Sequence, residues 1–523
     1  MICAPRREPL ELECASPEVA KPVLCTPGLY LCRPSASCPQ TMAVACGEDF
    51  TIALTDNGDV WSWGEGEDGQ LGLGTTGHQN KPAWVGGRDV FKEPVVLLAA
   101  GSTHAACVTS KGVLYTWGNG KHGELGDGFQ EIRLNPQQIN LATHGGEPAV
   151  MVSCGASHTV VLTEAGCVWT CGDGRYGKLG HGNDKLQLTL KLVSILEGSR
   201  PVRMSMVASG CHHNVALTSG GQVFTWGRAK FGSLGVTESS VVCSIYGESE
   251  IFTEDRFVPI QVARSSVETG ECFGGAQPLM IAAGGSHTVV VMKESSPWVW
   301  GKGRSGQLGL GNRDNFYAPQ SLPAQAFQGT QVLAAHCGYW NTIFLTGEKM
   351  WTCGYNGSHV LGHSMNTNFG LEPTCIEQIR FNNRRIIGAA VGVSHTVAVD
   401  HSGRVYSWGE AVSCVTEMQG DSTVVDKISL GAIGHPDIHG DYVTYPIRLH
   451  GFGGTWVGSY QHALAFAMCT HARLGSQGNT PNSQNGKDSG CQWGKMSNDL
   501  VQKIMQACCA YPHGLIRLLG GDM

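Results

Sequence analysis

The chain has 523 residues, a formal net charge of −7, 72 glycines and 21 cysteines. Its charge balance gives no sign of the basic stripe that a nucleic-acid surface requires, so no direct nucleic-acid binding is expected. No apolar run approaches the ~18 residues of a membrane span, and the first residues lack the apolar core of a secretory signal.

Residues 1–40 are rich in Pro and Cys and have no periodicity. Arg6, Arg7, Lys21 and Arg33 balance Glu8, Glu11, Glu13 and Glu18. A flexible, disordered arm is expected.

From residue 41 one unit recurs. Val60-Trp61-Ser62-Trp63-Gly64 is followed by Gly69-Gln70-Leu71-Gly72, and the pair returns six times. The closing glycines are Gly64, Gly118, Gly172, Gly227, Gly301, Gly354 and Gly409, spaced 54, 54, 55, 74, 53 and 55 residues apart. A fixed period of this size marks a repeat architecture, in which no unit buries its faces alone. Length alone suggests about three domains, but the repeat fuses residues 41–468 into one body.

Each unit reads as four short strands. In the first, these are Ala43–Cys46, Thr51–Thr55, Val60–Trp63 and Pro82–Val85. Asn57-Gly58 supplies the hairpin between the second and third, because it tolerates positive φ. The third strand alternates with period two, so Trp61 and Trp63 face one way and Val60 and Ser62 the other. An aromatic recurs at the Trp61 place: Tyr115, Trp169, Phe224, Trp298, Trp351 and Tyr406. Strands buried on both faces fit sheets stacked in a ring. The expected fold is therefore all-β: a seven-bladed propeller of four-stranded blades. In the loop after Trp-Gly, Leu71 and its equivalents read as apolar plugs, with Leu430-Gly431 taken as the seventh.

A second motif, Gly-x-x-His, runs about 14 residues upstream. Its histidines are His104, His158, His213, His287 and His395, with Phe50 and Asn341 in that place in units one and six. Recurrence in register points to buried structural bonds between strand pairs. An active site would need one distinct constellation, and none stands out. No metal set and no cofactor are expected. Gly64-Glu65-Gly66-Glu67-Asp68-Gly69 has dinucleotide-site spacing, but no helix follows it. The cysteines form no Cys-x-x-Cys pair and read as small buried hydrophobes.

Two insertions break the period, at 236–278 and 410–429, and read as surface loops. Thr455–Phe466 resembles the first half of an eighth unit, suited to sealing the ring. Residues 469–523 form a polar tail with an amphipathic helix expected at 497–508.

The composite Gly-x-x-His-Thr, Leu-Thr-x-x-Gly-x-Val-x-x-Trp-Gly and Gly-Gln-Leu-Gly at a period near 54 resembles the regulator of chromosome condensation repeat family over residues 41–468. The resemblance implies the seven-bladed propeller. It leaves function open, since relatives include a nucleotide exchange factor for the GTPase Ran, scaffolds, ubiquitin-ligase components and a photoreceptor. For exchange, acidic residues are implied in the Gly-x-x-His loops of early-middle units. Here those places hold Ala156-Ser157 and Cys211-His212, and the acidic pair is Glu48-Asp49 in unit one. The inserted wedge and the basic N-terminal tail of the exchange factor are missing, and no Trp in these loops stands beside Arg as in the photoreceptor.

The reading is a protein-interaction or scaffold propeller, monomeric, cytoplasmic or nuclear. The alternative is guanine-nucleotide exchange on a Ran-like small GTPase through Glu48 and Asp49. Candidate partner-binding residues are those that vary within the Gly-x-x-His loops: Glu48, Asp49, Thr103, Ser157, His212, Ser286, Tyr339, Trp340, Ser394 and Tyr460. Arg175, Tyr176, Arg228, Lys230 and Arg304 follow Trp-Gly and are assigned to a second surface.

Overall fold

A computed structural model describes residues 40–449, apart from 142–146, 198–199, 237–240, 246–247, 263–271, 365–366, 411–412, 420–421, 429–432 and 435–441. The fold is the expected propeller. Seven antiparallel four-stranded sheets span residues 41–86, 95–139, 149–192, 204–261, 278–321, 332–375 and 386–448. In blade one the strands are Thr41–Cys46, Phe50–Thr55, Val60–Gly64 and Gln79–Gly86. First strands of adjacent blades pack together around the axis, and blade seven closes onto blade one.

The second strand is the heart of each blade. All six of its residues are buried in every one, as in Phe50–Thr55 and His158–Thr163. Its two faces serve different neighbours. Ile52 and Leu54 join blade two's Cys107, Tyr115 and Trp117 in one cluster. Ala53 and Trp63 join blade seven's Val397 and Val399 in another. Alternation along one strand thus builds two interfaces, which is why no unit is stable alone.

Polar bonds fix the angle between blades. Each motif histidine is fully buried and reaches the residue after the histidine position of the next blade. His104 Nε2 lies 2.9 Å from Thr159 Oγ1, and His158 Nε2 lies 2.8 Å from Asn214 Oδ1. The link recurs at His213–Thr288 and His287–Thr342, at 3.0 and 2.9 Å. His395 to Thr51, also 2.9 Å, carries it across the ring closure.

That same Thr or Asn donates to a carbonyl in the preceding blade's Gly-Gln-Leu-Gly loop, and the Trp-Gly indole donates to the same oxygen. Lys178 O accepts from Asn214 Nδ2 at 2.6 Å and from Trp226 Nε1 at 3.0 Å. Val360 O accepts from Thr396 Oγ1 and Trp408 Nε1, both at 2.8 Å. Where Cys replaces Trp, Cys171 Sγ reaches Glu124 O at 3.6 Å and Cys353 Sγ reaches Gln307 O at 3.7 Å.

Two places lack the histidine link. Phe50 faces Ala105 in an apolar contact, and the buried Asn341 Oδ1 has no hydrogen-bond partner.

Backbone geometry at the axis demands glycine. A Cβ on Gly155 would stand 2.6 Å from the Gly210 carbonyl oxygen of the next blade and 2.0 Å from the His158 ring. At Gly64 the chain adopts φ +107° where the third-to-fourth strand register shifts, a bend that L side chains resist.

Several expectations change. The seventh plug is Ile433-Gly434, since Ser407 Oγ donates to Ile433 O as Ser62 Oγ does to Leu71 O, and Gly434 sits against the Trp63 indole. Leu430 and Gly431 lie outside the described residues. The plug is set by reach from the third-strand hydroxyl, and the insertion lengthens its spacing from that hydroxyl from 9 to 26 residues. All seven blades take their four strands in chain order from residues 41–448, so none waits for a strand from 455–466. That segment, the arm at 1–39 and the tail at 469–523 lie outside the described residues. Both insertions contain a hairpin between the third and fourth strands: Val241–Ile245 with Glu248–Phe252, and Ser413–Gln419 with Ser422–Ile428.

Sequence reading missed one device. A Phe after the fourth strand packs edge-on against the next blade's third-strand aromatic: Phe91 on Tyr115 at 5.3 Å and Phe381 on Tyr406 at 5.3 Å.

Two predictions follow from these bonds. Phe50→His alone buries an imidazole opposite Ala105 and should cost about 1–3 kcal/mol. Adding Ala105→Thr rebuilds the link, so a double-mutant cycle in urea should give a favourable coupling of about 1 kcal/mol; zero coupling would count against the link.

The second concerns pH. Burial holds His104 and His395 down to about 4, and His158, His213 and His287 down to about 3. The unfolded chain takes up protons near pH 6.5 while the folded chain does not. Stability is therefore lost as pH falls below 6.5, by roughly 1.4 kcal/mol per pH unit for each histidine. His181, His212 and His336, held down to about 4 by burial, and His363, also lowered by burial, add to this loss. Glu65, raised to about 7 by burial and neighbouring carboxylates, acts in the opposite sense, as do Glu48, Glu124 and Asp255, raised by burial first. The Tm should fall by several degrees from pH 7 to 5, and His104→Asn should remove about a ninth of the histidine contribution to that fall. An unchanged Tm would contradict the buried-histidine account.

Candidate functional site

The first-to-second strand loops and the third-to-fourth strand loops lie on one face. In every blade the residue after the Trp-Gly glycine donates its N–H to the carbonyl of the residue before the histidine position. Examples are Glu65 to Asp49 O, Asp173 to Ser157 O, Arg228 to His212 O and Lys302 to Ser286 O, each at 2.9 Å. Thr103, Trp340 and Ser394 accept the same bond from Asn119, Tyr355 and Glu410. Arg175, Tyr176, Arg228, Lys230 and Arg304 therefore do not form a second surface. In an antiparallel meander the first and third turns fall at the same end, and the two loop sets interlock there.

At the centre of this face the axis opens into a shallow cavity of about 110 Å³. Its lining includes Cys46, Glu48, Cys154, Cys211, Cys337 and Tyr339. That volume suits a few waters and is below the range of ligand pockets. Burial pushes the Cys46, Cys154, Cys211 and Cys337 thiols up to about 12, which leaves them protonated and weakly nucleophilic. Among the described residues no group of three or more His, Cys, Asp or Glu could hold a metal ion, and no helix is long and apolar enough to cross a membrane.

The candidate residues divide. Asp49 is half-buried, and its Oδ1 accepts a hydrogen bond from Ser394 Oγ at 2.6 Å across the ring closure. Val393 N donates to Glu48 O at 3.1 Å at the same seam. Asp49 and Ser394 thus join blades seven and one, whereas the Glu48 side chain is exposed beside the mouth. Thr103, Ser157 and Ser286 are partly exposed around the ring. Tyr460 lies outside the described residues.

Sectors of different chemistry surround the mouth. Blade one gathers Glu48, Asp49, Glu65, Glu67 and Asp68; burial and those four neighbours raise the Glu65 carboxyl to about 7. Blade three carries a buried ion pair, Lys178 Nζ to Asp173 Oδ2 at 2.5 Å. Above it Tyr176 meets the His212 ring at 5.6 Å, and the Arg228 guanidinium lies 4.4 Å over the Tyr176 ring. On blade four, Phe231 is approached by Lys230 at 4.9 Å, Lys302 at 5.2 Å and Arg304 at 5.9 Å. Blade six adds a file of rings: Tyr339 on Trp340 at 4.7 Å, Trp340 on Tyr355 at 5.6 Å, and Tyr355 on Phe369 at 5.9 Å. Arg313 caps the file, 4.0 Å over Phe369.

Tyr176 and Phe231 hold positive φ, +65° and +64°, whereas Asp68 and His122, in the same place of blades one and two, do not. Side chains of this size seldom accept that backbone. Arg175, Tyr176, Arg228, Lys230 and Arg304 were picked out from the sequence, but Phe231, Lys302, Arg313 and Phe369, which complete the cation–aromatic interleaving, were not. Its signal was present: an aromatic directly before the loop glycine in units three and four, with a cation three residues upstream of Phe231.

The profile of the RCC1-like domain matches residues 25–338, and that of the regulator of chromosome condensation (RCC1) repeat matches residues 348–399. The ultraviolet-B receptor UVR8 of Arabidopsis thaliana is 33% identical over 286 residues, 55% of this chain and 58% of that one. The human E3 ubiquitin-protein ligase HERC2 is 33% identical over 311 residues, 59% of this chain and 6% of that one. The chain thus spans less than two thirds of either relative. Among solved structures, Prp20p of Saccharomyces cerevisiae superposes with a TM-score of 0.59 at 19% identity, covering 82% of this chain and 96% of that one. Human WBSCR16 gives 0.59 at 20%, covering 75% and 93%. At these identities the two structures speak for the fold alone.

The seam yields a prediction. Asp49→Ala should lower unfolding free energy by roughly 0.5–1.5 kcal/mol through loss of the Ser394 bond, while Glu48→Ala should change it by less than about 0.5 kcal/mol. Equal effects in denaturant titration would contradict the division of roles.

Proposed function

Because the chain belongs to the regulator of chromosome condensation family, we propose that it is a regulatory protein-binding propeller that engages its partner through the face carrying both sets of loops. The observation that supports this most is the contrast within that face. Its backbone bonds repeat in all seven blades, while its side chains run from carboxylates on blade one to cations on blades three to five and rings on blade six. An invariant frame with varied side chains is how a propeller builds specificity for one partner. Tyr339, 39% exposed at the mouth and packed edge-on to Trp340, is the leading aromatic anchor, since aromatic anchors carry much of the energy of protein interfaces.

The rival is guanine-nucleotide exchange on a Ran-like GTPase. It would require acidic side chains free to compete with phosphate and magnesium contacts. The engagement of Asp49 with Ser394 leaves Glu48 as the free member of that pair, which weakens the rival.

One comparison separates the two readings. Release of a fluorescent guanine nucleotide from Ran and related GTPases should not accelerate at micromolar concentrations of this protein. Partners recovered on the immobilised full chain should be lost with Tyr339→Ala plus Trp340→Ala and retained with Glu348→Ala, which lies at a second-to-third strand turn on the opposite face. Acceleration that disappears with Glu48→Ala would overturn the proposal in favour of exchange.

A further inference from the structure

The cation–aromatic arc across blades three to six deserves its own partner class. It comprises Tyr176 with Arg228, Phe231 with Lys230, Lys302 and Arg304, and Phe369 with Arg313, whose Nε donates to Arg304 O at 2.6 Å. The ion pairs of this sector among the described residues are those of Arg175 and Lys178 with Asp173. Arg228, Lys230, Lys302, Arg304 and Arg313 form none among the described residues, in a chain whose net charge is −7; Asp255, whose Oδ1 accepts from Ala229 N at 2.8 Å, is near enough to feel the Arg228 charge. Holding these cations close together costs repulsion: Lys302, half-buried beside Arg304 and Lys230, has its ammonium value lowered by burial first and by those neighbours next. The repulsion points to a surface organised for an anion.

We propose that this arc is the docking groove for an acidic peptide segment of a partner protein, with aspartate or glutamate side chains bound by Arg228, Lys302 and Arg304.

The proposal rests on the protein-binding reading above and names the partner's chemistry. Charge complementarity selects a carboxylate-bearing ligand, and the guanidinium fork suits carboxylate oxygens. A peptide fits better than a nucleic acid for two reasons. The ring faces that bases would stack on already carry the protein's own cations, with Arg228 at 4.4 Å from Tyr176 and Arg313 at 4.0 Å from Phe369. The same face carries the carboxylate sector of blade one around Glu65, which repels a long polyanion yet leaves room for a short segment confined to blades three to six.

The test is fluorescence anisotropy on the full chain at about 0.15 M salt, near physiological ionic strength. The probes are a labelled ten-residue Asp/Glu peptide with a central Phe, its Asn/Gln counterpart, and a ten-nucleotide oligothymidylate. The acidic peptide should bind at least tenfold more tightly than either alternative. Arg228→Glu with Arg304→Glu should weaken it at least tenfold, Arg228→Gln with Arg304→Gln should weaken it less, and Glu67→Lys in the opposite sector should leave it unchanged or tighten it. Circular dichroism and tryptophan fluorescence establish that each variant is folded.

Peptide affinity insensitive to both arc pairs would overturn the proposal. So would tighter binding of the oligonucleotide that the arc pairs abolish, which would make the arc a nucleic-acid surface. If the peptide fails while partner capture still depends on Tyr339 and Trp340, the acidic-segment proposal falls and the protein-binding reading stands.

Discussion

The carbonyl oxygen just before the loop leucine is the point on which the ring depends. It belongs to one blade and takes two donors from the next, a strand-two hydroxyl or amide and a strand-three indole. Lys178 O and Val360 O show the full arrangement, with all four bonds between 2.6 and 3.0 Å. Apolar contacts are non-directional, so by themselves they would let blades slide or open. Two directional bonds converging on one buried oxygen fix both tilt and spacing. The histidine link adds a third tie between the same two blades, and at His395 it serves as the closure.

This constraint explains what the sequence exposes and what it hides. Trp-Gly, Gly-x-x-His and the loop leucine were legible because all seven blades need the same geometry, and repetition amplifies the signal. The four-stranded blade and the Asn57-Gly58 hairpin followed from period-two alternation and turn chemistry. Partner choice between blades was less legible, because it pairs positions about 55 residues apart. Yet Thr51, Thr159, Asn214, Thr288, Thr342 and Thr396 share one place, and Ala105 breaks the series opposite Phe50. Read with an offset of one unit, the exception accounts for itself: an apolar ring in the histidine place meets a residue without a hydroxyl.

The candidate site was harder to read for a physical reason. Assigning the loops after Trp-Gly to a second surface treated sequence separation as spatial separation. An antiparallel meander brings its first and third turns to one end, and the N–H of the residue after Trp-Gly bonds the carbonyl before the histidine position. Asp49 looked like a binding residue because it is acidic and varies between units, but its partner Ser394 lies 345 residues away across the seam. The seventh plug is Ile433 rather than Leu430 because its place is set by the Ser407 hydroxyl, and the inserted hairpin between the third and fourth strands removes the spacing that identifies it in the other units. The frame is set by repetition, and the face by local departures from it.

The frame and the face thus answer to different constraints, and the central claim is that binding resides on the loop face. The most direct test is site-specific photo-crosslinking with a benzophenone amino acid placed at Tyr339 or, on the opposite face, at Glu348, with the full chain in cells. The account predicts a discrete protein adduct from position 339 and none from 348. An adduct from 348 alone would put recognition on the hairpin face and contradict the account.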